Sequence, residues 1–239
     1  MMLEGQVALV TGASRGIGRG IALALADAGA QVALAARSPD RLRSVEQEIR
    51  DRGGKAVGLP VDLVEATQIE TLFERLAETY GRLDILVNNA GIGLFGALSD
   101  FSEGDFDRLV AVNLRAVFLC CRQAMRLMIP RKAGYIINIS SVVGFKGYPN
   151  QSIYTATKHG VMGITKSLAV EAQPYGIRVS AVLPGGTDTD MRALGRPDLK
   201  RSELLQPEDI AQTVLFLLSL SPRAAIDQIY VRRRNSAPF

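Results

Sequence analysis

The sequence predicts an α/β protein: a doubly wound, mainly parallel, seven-stranded sheet with helices on both faces, forming one domain over residues 1–239. Three observations predict it. Short strand-like runs alternate with helical periodicity along the whole chain, which is the pattern of right-handed β-α-β crossovers. Those runs are nearly continuous in apolar character, as strands covered on both faces must be. A glycine-rich turn joins the first run to the first helix. At 239 residues and 47% hydrophobic content the chain can fill such a core, and no Pro/Ser-rich or charged linker divides it.

The elements follow in order. Val7–Thr11 reads as the first strand, and Ile17, Ile21, Ala24 and Ala28 then fall at helical spacing until Gly29. Val32–Ala36 is the second strand. Ser38 and Pro39 form an N-cap and first-turn proline ahead of Leu42, Val45 and Ile49, and Gly53 stops that helix. Val57–Val61 is the third strand, followed by a helix carrying Ile69, Leu72, Leu76 and Tyr80 and ending at Gly81. Ile85–Asn89, Tyr135–Ser140 and Val179–Leu183 are the next three strands. A long helix starts near Gln151 and closes at Pro174 and Gly176, Pro207 opens the last helix, and Ile229–Arg232 is a weaker seventh strand.

Composition narrows the function classes. No run approaches the roughly 20 apolar residues that cross a bilayer, and the start MMLEGQVALVTG lacks a basic flank and a small-residue cleavage site. A cytoplasmic protein is expected. Cys120 and Cys121 are adjacent in an apolar helical run, which suits buried thiols and neither a disulfide framework nor spaced metal ligands; no metal is expected. Of the net charge of +4, three units sit at Arg232–Arg234, read as a basic, solvated tail over 232–239. Such a tail also raises a nucleic-acid partner as an alternative.

The stretch TGASRGIG carries a nucleotide reading. Gly12, Gly16 and Gly18 permit a tight turn, close approach of backbone to a phosphate and close helix–strand packing. The free amides that begin the helix attract anionic oxygens. The ribose-reading position about twenty residues on is Ala36, which is not acidic, followed by Arg37, with Arg15 inside the loop. Two guanidiniums and no carboxylate favour a 2′-phosphate, hence NADP(H).

At the other end, Ser141 closes the fifth strand on the rim where ligands bind, and Tyr154 and Lys158 share one helix face at i and i+4. A phenol with an ordinary pKa of about 10 exchanges protons poorly near neutrality. An adjacent ammonium favours phenolate and makes it a usable acid or base. The Ser141 hydroxyl can polarise a carbonyl. His159 lies about 100° around the helix from Lys158, off that face.

TGASRGIG, NNAG at Asn88–Gly91, Asn113 in VNL, Ser141 and YTATK together resemble the short-chain dehydrogenase/reductase family in its compact, Rossmann-type, single-domain form, over roughly Gly5 to Phe216. The resemblance implies Tyr154 as catalytic acid/base, Ser141 as substrate-orienting hydroxyl, Lys158 on the nicotinamide ribose and lowering the tyrosine pKa, and Asn113 holding a water in a proton relay. It implies cofactor contacts from Ser14, Arg15 and Ile17 among the loop glycines, from Asp62 to the adenine amino group with Leu63 beside it, and from Asn89, Ala90 and Gly91. In PGGTDTDM, Pro184, Gly185 and Thr189 would face the carboxamide, and Thr187 takes a place where the family has Ile or Val, keeping its backbone contact.

The implied activity is NADP(H)-dependent interconversion of a carbonyl, ketone or aldehyde, with an alcohol, by a homo-oligomer, tetramer or dimer. A 3-oxoacyl-[acyl-carrier-protein] reductase is the alternative, with Arg131 and Lys132 docking the acidic carrier beside the site; the second basic patch is replaced by Pro174 and Tyr175. A non-catalytic dinucleotide sensor is the reading from another class, and the joint presence of Ser141, Asn113, Tyr154 and Lys158 argues against it. The ending IDQIYVRRRNSAPF departs from the family's Gly-Gln strand and Asp/Asn-Gly-Gly close. The family's substrate loop falls at about 190–206, where the stretch Arg192 to Leu205 is polar and offers no large apolar wall.

Overall fold

The first strand sets the register of the whole molecule. Along β1 (Val7–Thr11), Ala8 and Val10 enter one apolar core and Leu9 enters a second, because successive side chains leave a strand on opposite faces. The computed structural model of the chain, which describes residues 1–195 and 198–238, builds seven parallel strands around it in the order β3-β2-β1-β4-β5-β6-β7. These are β2 (Gln31–Ala36), β3 (Lys55–Pro60), β4 (Ile85–Asn88), β5 (Gly134–Ile139), β6 (Ile177–Pro184) and β7 (Gln228–Val231). The chain order reverses between β1 and β4, and a crevice opens there at the carboxyl ends of the strands.

Helices α1 (Gly16–Asp27), α2 (Pro39–Asp51) and α8 (Pro207–Ser219) cover one face through Ile21, Leu42, Ile210 and Val214. On the other face lie α3 (Ala66–Tyr80), α5 (Ala116–Met128) and α6 (Ser152–Ala172), contributing Ile69, Leu72, Ala124 and Val161. Two shorter helices complete the chain, α4 (Glu103–Val110) and α7 (Asp190–Gly195). The caps at Ser38, Gly81 and Gly176 are those the sequence predicts, and a capping box is added ahead of Pro207. Ser38 accepts the Arg41 N–H at 3.4 Å, Gly81 and Gly176 end helices at φ 65° and 67°, and Gln206 with Asp209 forms a capping box before Pro207.

The expected strands are all present, with ends that move by one or two residues. The third starts at Lys55 rather than Val57 and stops at Pro60, since Asp62 and Val64 already form a side-chain-bonded turn. Cys120 and Cys121 are free and buried, with both thiols pushed up by desolvation. No helix among the described residues is long and apolar enough to cross a membrane. Positions 196, 197 and 239, in the expected substrate loop and tail, lie outside the described residues.

Candidate active site

Strand β5 delivers Ser141 just past its carboxyl end, where an extended residue leads into a short turn and its hydroxyl accepts the Val143 N–H at 3.3 Å. Helix α6 presents Tyr154 and Lys158 towards the same spot, 8% and 5% exposed. The Lys158 ammonium donates to the Ile139 carbonyl at 3.1 Å and lies 5.9 Å from the centre of the Tyr154 ring. The lysine is therefore held from the strand end as well as by its own helix. His159 is exposed, its Nδ1 3.0 Å from the Thr155 carbonyl, as its angular position requires.

The electrostatics correct one expectation. Burial pushes the Tyr154 phenol up to about 12, with hydrogen bonding from Ser141 opposing it, and lowers Lys158 to about 8. The cation faces the ring and engages a carbonyl, so it does not offset the phenol's desolvation. Among these residues alone, the phenol rests as a neutral acid.

Asn113 is fully buried on a π turn, Ala111–Arg115, inserted between α4 and α5. Its Oδ1 accepts the Ile92 N–H at 2.8 Å and its Nδ2 donates to the Ile92 carbonyl at 2.9 Å and to Thr157 Oγ1 at 3.4 Å. A Cβ on Gly91 would lie 3.3 Å from Asn113 Oδ1 and 3.8 Å from Lys158 Nζ, so the glycine lets both reach the same place. Such π turns recur at functional sites because they re-aim side chains without ending the helix.

At the phosphate end, Gly12 and Gly16 adopt φ of 67° and 53°. A Cβ at Gly12 would approach Ala90 Cα to 2.8 Å. Thr11 Oγ1 accepts the N–H groups of Asn89 and Ala90, and Asn89 Nδ2 donates to the Thr11 and Gly12 carbonyls, tying the loop after β1 to the loop after β4. Gly18 packs so tightly on the Gly12 carbonyl and Asn89 that Gly18→Ala is expected to cost about 1–3 kcal/mol. Thermal melts should show this loss together with weakened nucleotide binding.

These residues fit a phosphorylated dinucleotide. The first turn of α1 has no side-chain cap and no acidic residue to compete for its amides, so Ser14 to Gly18 form a cradle for anionic oxygens. Arg37 is exposed, and no carboxylate pairs with it among the described residues. Arg15 instead contacts Asp190 at the start of α7, a surface pair that a phosphate would have to displace. Asp62 is fixed by an Asx turn, with Oδ1 3.1 Å from the Val64 N–H, and Leu63 beside it is buried.

After β6, the Gly185 N–H bonds the Val231 carbonyl at 2.7 Å. Thr187 is buried and donates to the Gly185 carbonyl, and Thr189 turns back onto the Thr187 carbonyl. The basic tail is not simply solvated, which corrects the sequence reading. Arg233 is 13% exposed, lies over Gly186 and pairs with Glu203 at 3.5 Å, and Arg232 donates to the Arg233, Arg234 and Ser236 carbonyls. The charges brace the site's own loops because Gly186 leaves room for a side chain above it. Only Arg234 of the three is exposed.

Two further expectations change. Arg131 precedes β5, at the opposite end of the sheet from Ser141, and pairs with Asp84 together with Arg82. Within one chain it is not beside the site. The apolar wall missing from the segment after Arg192 comes from the loop after β4, where Ile92, Leu94, Phe95 and Phe101 pack around Tyr154 with Met191. The run GIGLFGALSDF is apolar without strand or helix period, and that was the signal for it.

A crevice able to cradle a dinucleotide at one end and exchange a proton at the other is the equipment of a dinucleotide-dependent oxidoreductase. The chain belongs to the short-chain dehydrogenase family, whose pattern matches residues 6–200. It is 42% identical over 226 residues to the 3-oxoacyl-[acyl-carrier-protein] reductase FabG of Aquifex aeolicus, covering 91% of each chain. It is 38% identical to a 3beta-hydroxysteroid dehydrogenase of Mediterraneibacter gnavus, over 82% of this chain and 71% of that one. Among solved structures, a metagenomic short-chain oxidoreductase in complex with NADP is similar at TM-score 0.88 and 38% identity, over 99% of this chain and 100% of that one. An alcohol dehydrogenase of the archaeon Thermococcus sibiricus, complexed with 5-hydroxy-NADP, is similar at TM-score 0.90 and 30% identity, over 98% and 99% of the two chains.

Proposed function

We propose that this chain is an NADP(H)-dependent reductase that interconverts a ketone or aldehyde and its alcohol, working as one catalytic domain in a cytoplasmic homo-oligomer. The observation that carries the reading is the convergence of Ser141, Tyr154, Lys158 and Asn113 on one crevice beside the glycine loop. Ser14, Arg15, Gly16 and Ile17 would hold the pyrophosphate end, Arg37 the 2′-phosphate and Asp62 the adenine. Asn89 to Gly91 would line the middle, and Pro184, Gly185, Thr187 and Thr189 the carboxamide. NADPH, when bound, supplies the hydride.

The chain's own residues do the rest. The Ser141 hydroxyl donates to the carbonyl oxygen and draws charge towards it. Tyr154, neutral with its phenol raised to about 12, donates its proton to that oxygen as negative charge develops. Lys158, with a pKa near 8, is charged at neutral pH and would hold the nicotinamide ribose beside the phenol. Asn113 positions the backbone of Ile92 and borders the Lys158 ammonium, which suits a relay returning the proton from solvent.

The cofactor reading is tested by affinity. NADPH is expected to bind at least about tenfold more tightly than NADH, since a hydrogen bond to a charged group contributes about 1.5–3 kcal/mol. Arg37→Ala should narrow that ratio without weakening NADH. Equal affinity of the wild type for both would overturn the 2′-phosphate assignment, and a carbonyl panel followed by NADPH absorbance tests the reaction.

The FabG relatives support a second reading, reduction of a 3-oxoacyl carrier substrate. Arg131 is engaged with Asp84 on the far rim, so a carrier would have to approach this chain's own site by other residues. Faster turnover of a carrier-bound 3-oxoacyl thioester than of the same acyl group on a short thiol would favour it.

A further inference from the structure

The Tyr154 ring meets the Phe95 ring edge-on, with centroids 5.4 Å apart and planes at 73°. Phe95 is itself wedged by two glycines. A Cβ at Gly93 would lie 2.6 Å from Phe95 Cζ, and one at Gly195 would lie 2.7 Å from Phe95 Cε2. Any side chain at either position would push the ring, so backbone from the loop after β4 and from the end of α7 closes on it. The Tyr154 hydroxyl points to Met191 of α7, with oxygen and sulfur 3.8 Å apart. A thioether is a weak acceptor, and a carbonyl oxygen replaces it readily.

We infer that Phe95 is the specificity-determining residue of this site and that it selects carbonyl compounds carrying a bulky apolar substituent, aryl or alkyl, next to the reacting carbon. The inference rests on the reductase reading above. A carbonyl that takes the Tyr154 proton must enter where Met191 covers the hydroxyl, and the group beside its carbon then meets Phe95, with Leu109 and Val143 of the same cluster close by. An apolar group gains by replacing Met191 against this wall. A carboxylate in the same place loses its hydration and gains no partner from it. Phe95 touches the acid residue itself, so its shape is read at the reacting centre.

The test compares acetophenone with pyruvate, two small ketones that differ in the group beside the carbonyl. The wild type should reduce acetophenone with kcat/KM about a hundredfold above that for pyruvate. Phe95→Ala should lower the acetophenone value about tenfold or more, mainly through KM, and lower the pyruvate value much less, so that the ratio of the two falls, while Phe95→Leu keeps most of the preference. Should Phe95→Ala fail to fold, Gly195→Ala reads the same wall by displacing the ring, with the same fall in the ratio. Comparable rates on both ketones, or a ratio untouched in a folded variant, would overturn the inference. Calorimetric binding of acetophenone to the NADP-loaded Tyr154→Phe protein separates the two readings. Binding that weakens with Phe95→Ala upholds the wall even if no ketone turns over, and absence of binding sinks it.

Discussion

Tyr154→Phe is expected to lower carbonyl reduction by about 10²–10⁴-fold while leaving the fold and nucleotide affinity in place. Only one oxygen is removed. The ring keeps its edge-on contact with Phe95 and its burial. The hydroxyl's partners in the resting site are a sulfur 3.8 Å away and the Ser141 hydroxyl, which keeps its bond from the Val143 N–H in the variant, so the loss leaves no buried group stranded. Steady-state rates together with a melting curve and NADPH titration check this. Near-wild-type turnover in a folded, cofactor-binding variant would remove Tyr154 from the chemistry. The pH dependence follows from the same residue. With the phenol raised to about 12, the proton-donating form is fully populated at neutral pH, which suits reduction. Alcohol oxidation requires phenolate, so its rate should climb with pH and stay unsaturated until the phenol titrates.

The strand pattern was legible because the inner parallel strands are buried on both faces, and continuous apolar runs such as Val7–Thr11 admit few other placements, whereas the half-exposed edge strands β3 and β7 gave weaker runs. Spacing also placed Tyr154 and Lys158 on one face, since four residues is one helical turn. What spacing could not supply was the balance of charge and burial. Whether Lys158 depresses the phenol depends on where its ammonium goes, and the Ile139 carbonyl that holds it belongs to a strand 19 residues away. The π turn at Ala111–Arg115 was equally hidden, because it disturbs apolar periodicity by less than a turn while moving Asn113 onto the Ile92 backbone. The tail misled for a related reason. Three consecutive arginines read as solvated, yet a glycine at 186 gives Arg233 a place to lie, and that long-range fit leaves no local trace.

Lys158→Met should abolish most activity and, in the cofactor-free protein, raise thermal stability. The two effects have one cause. Desolvation lowers the Lys158 pKa from 10.5 to about 8, so keeping the ammonium charged in the folded state at pH 7 costs about 3 kcal/mol. Its bond to the Ile139 carbonyl, from a charged donor, returns about 1.5–3 kcal/mol, which a methionine forfeits. The net gain is at most about 2 kcal/mol, a few degrees in Tm for a chain of this size. The sign fixes the pH window. Below pH 8 the lysine is charged in both folded and unfolded chains, and the whole penalty applies. Between pH 8 and 10.5 the unfolded chain still binds the proton and the folded one does not, so wild-type stability gains on the variant as pH rises. The Tm difference should therefore be constant from pH 6 to 8 and shrink towards pH 10.5. Tyr154, raised from 10.0 to about 12, contributes the opposite slope above pH 10, but equally in both proteins. A variant less stable than wild type at pH 7, or a difference that ignores pH, would show that the ammonium is better solvated than its burial implies. The wild type would then give up no stability to keep a cation beside its proton donor, and the presence of that charge would call for no catalytic reason.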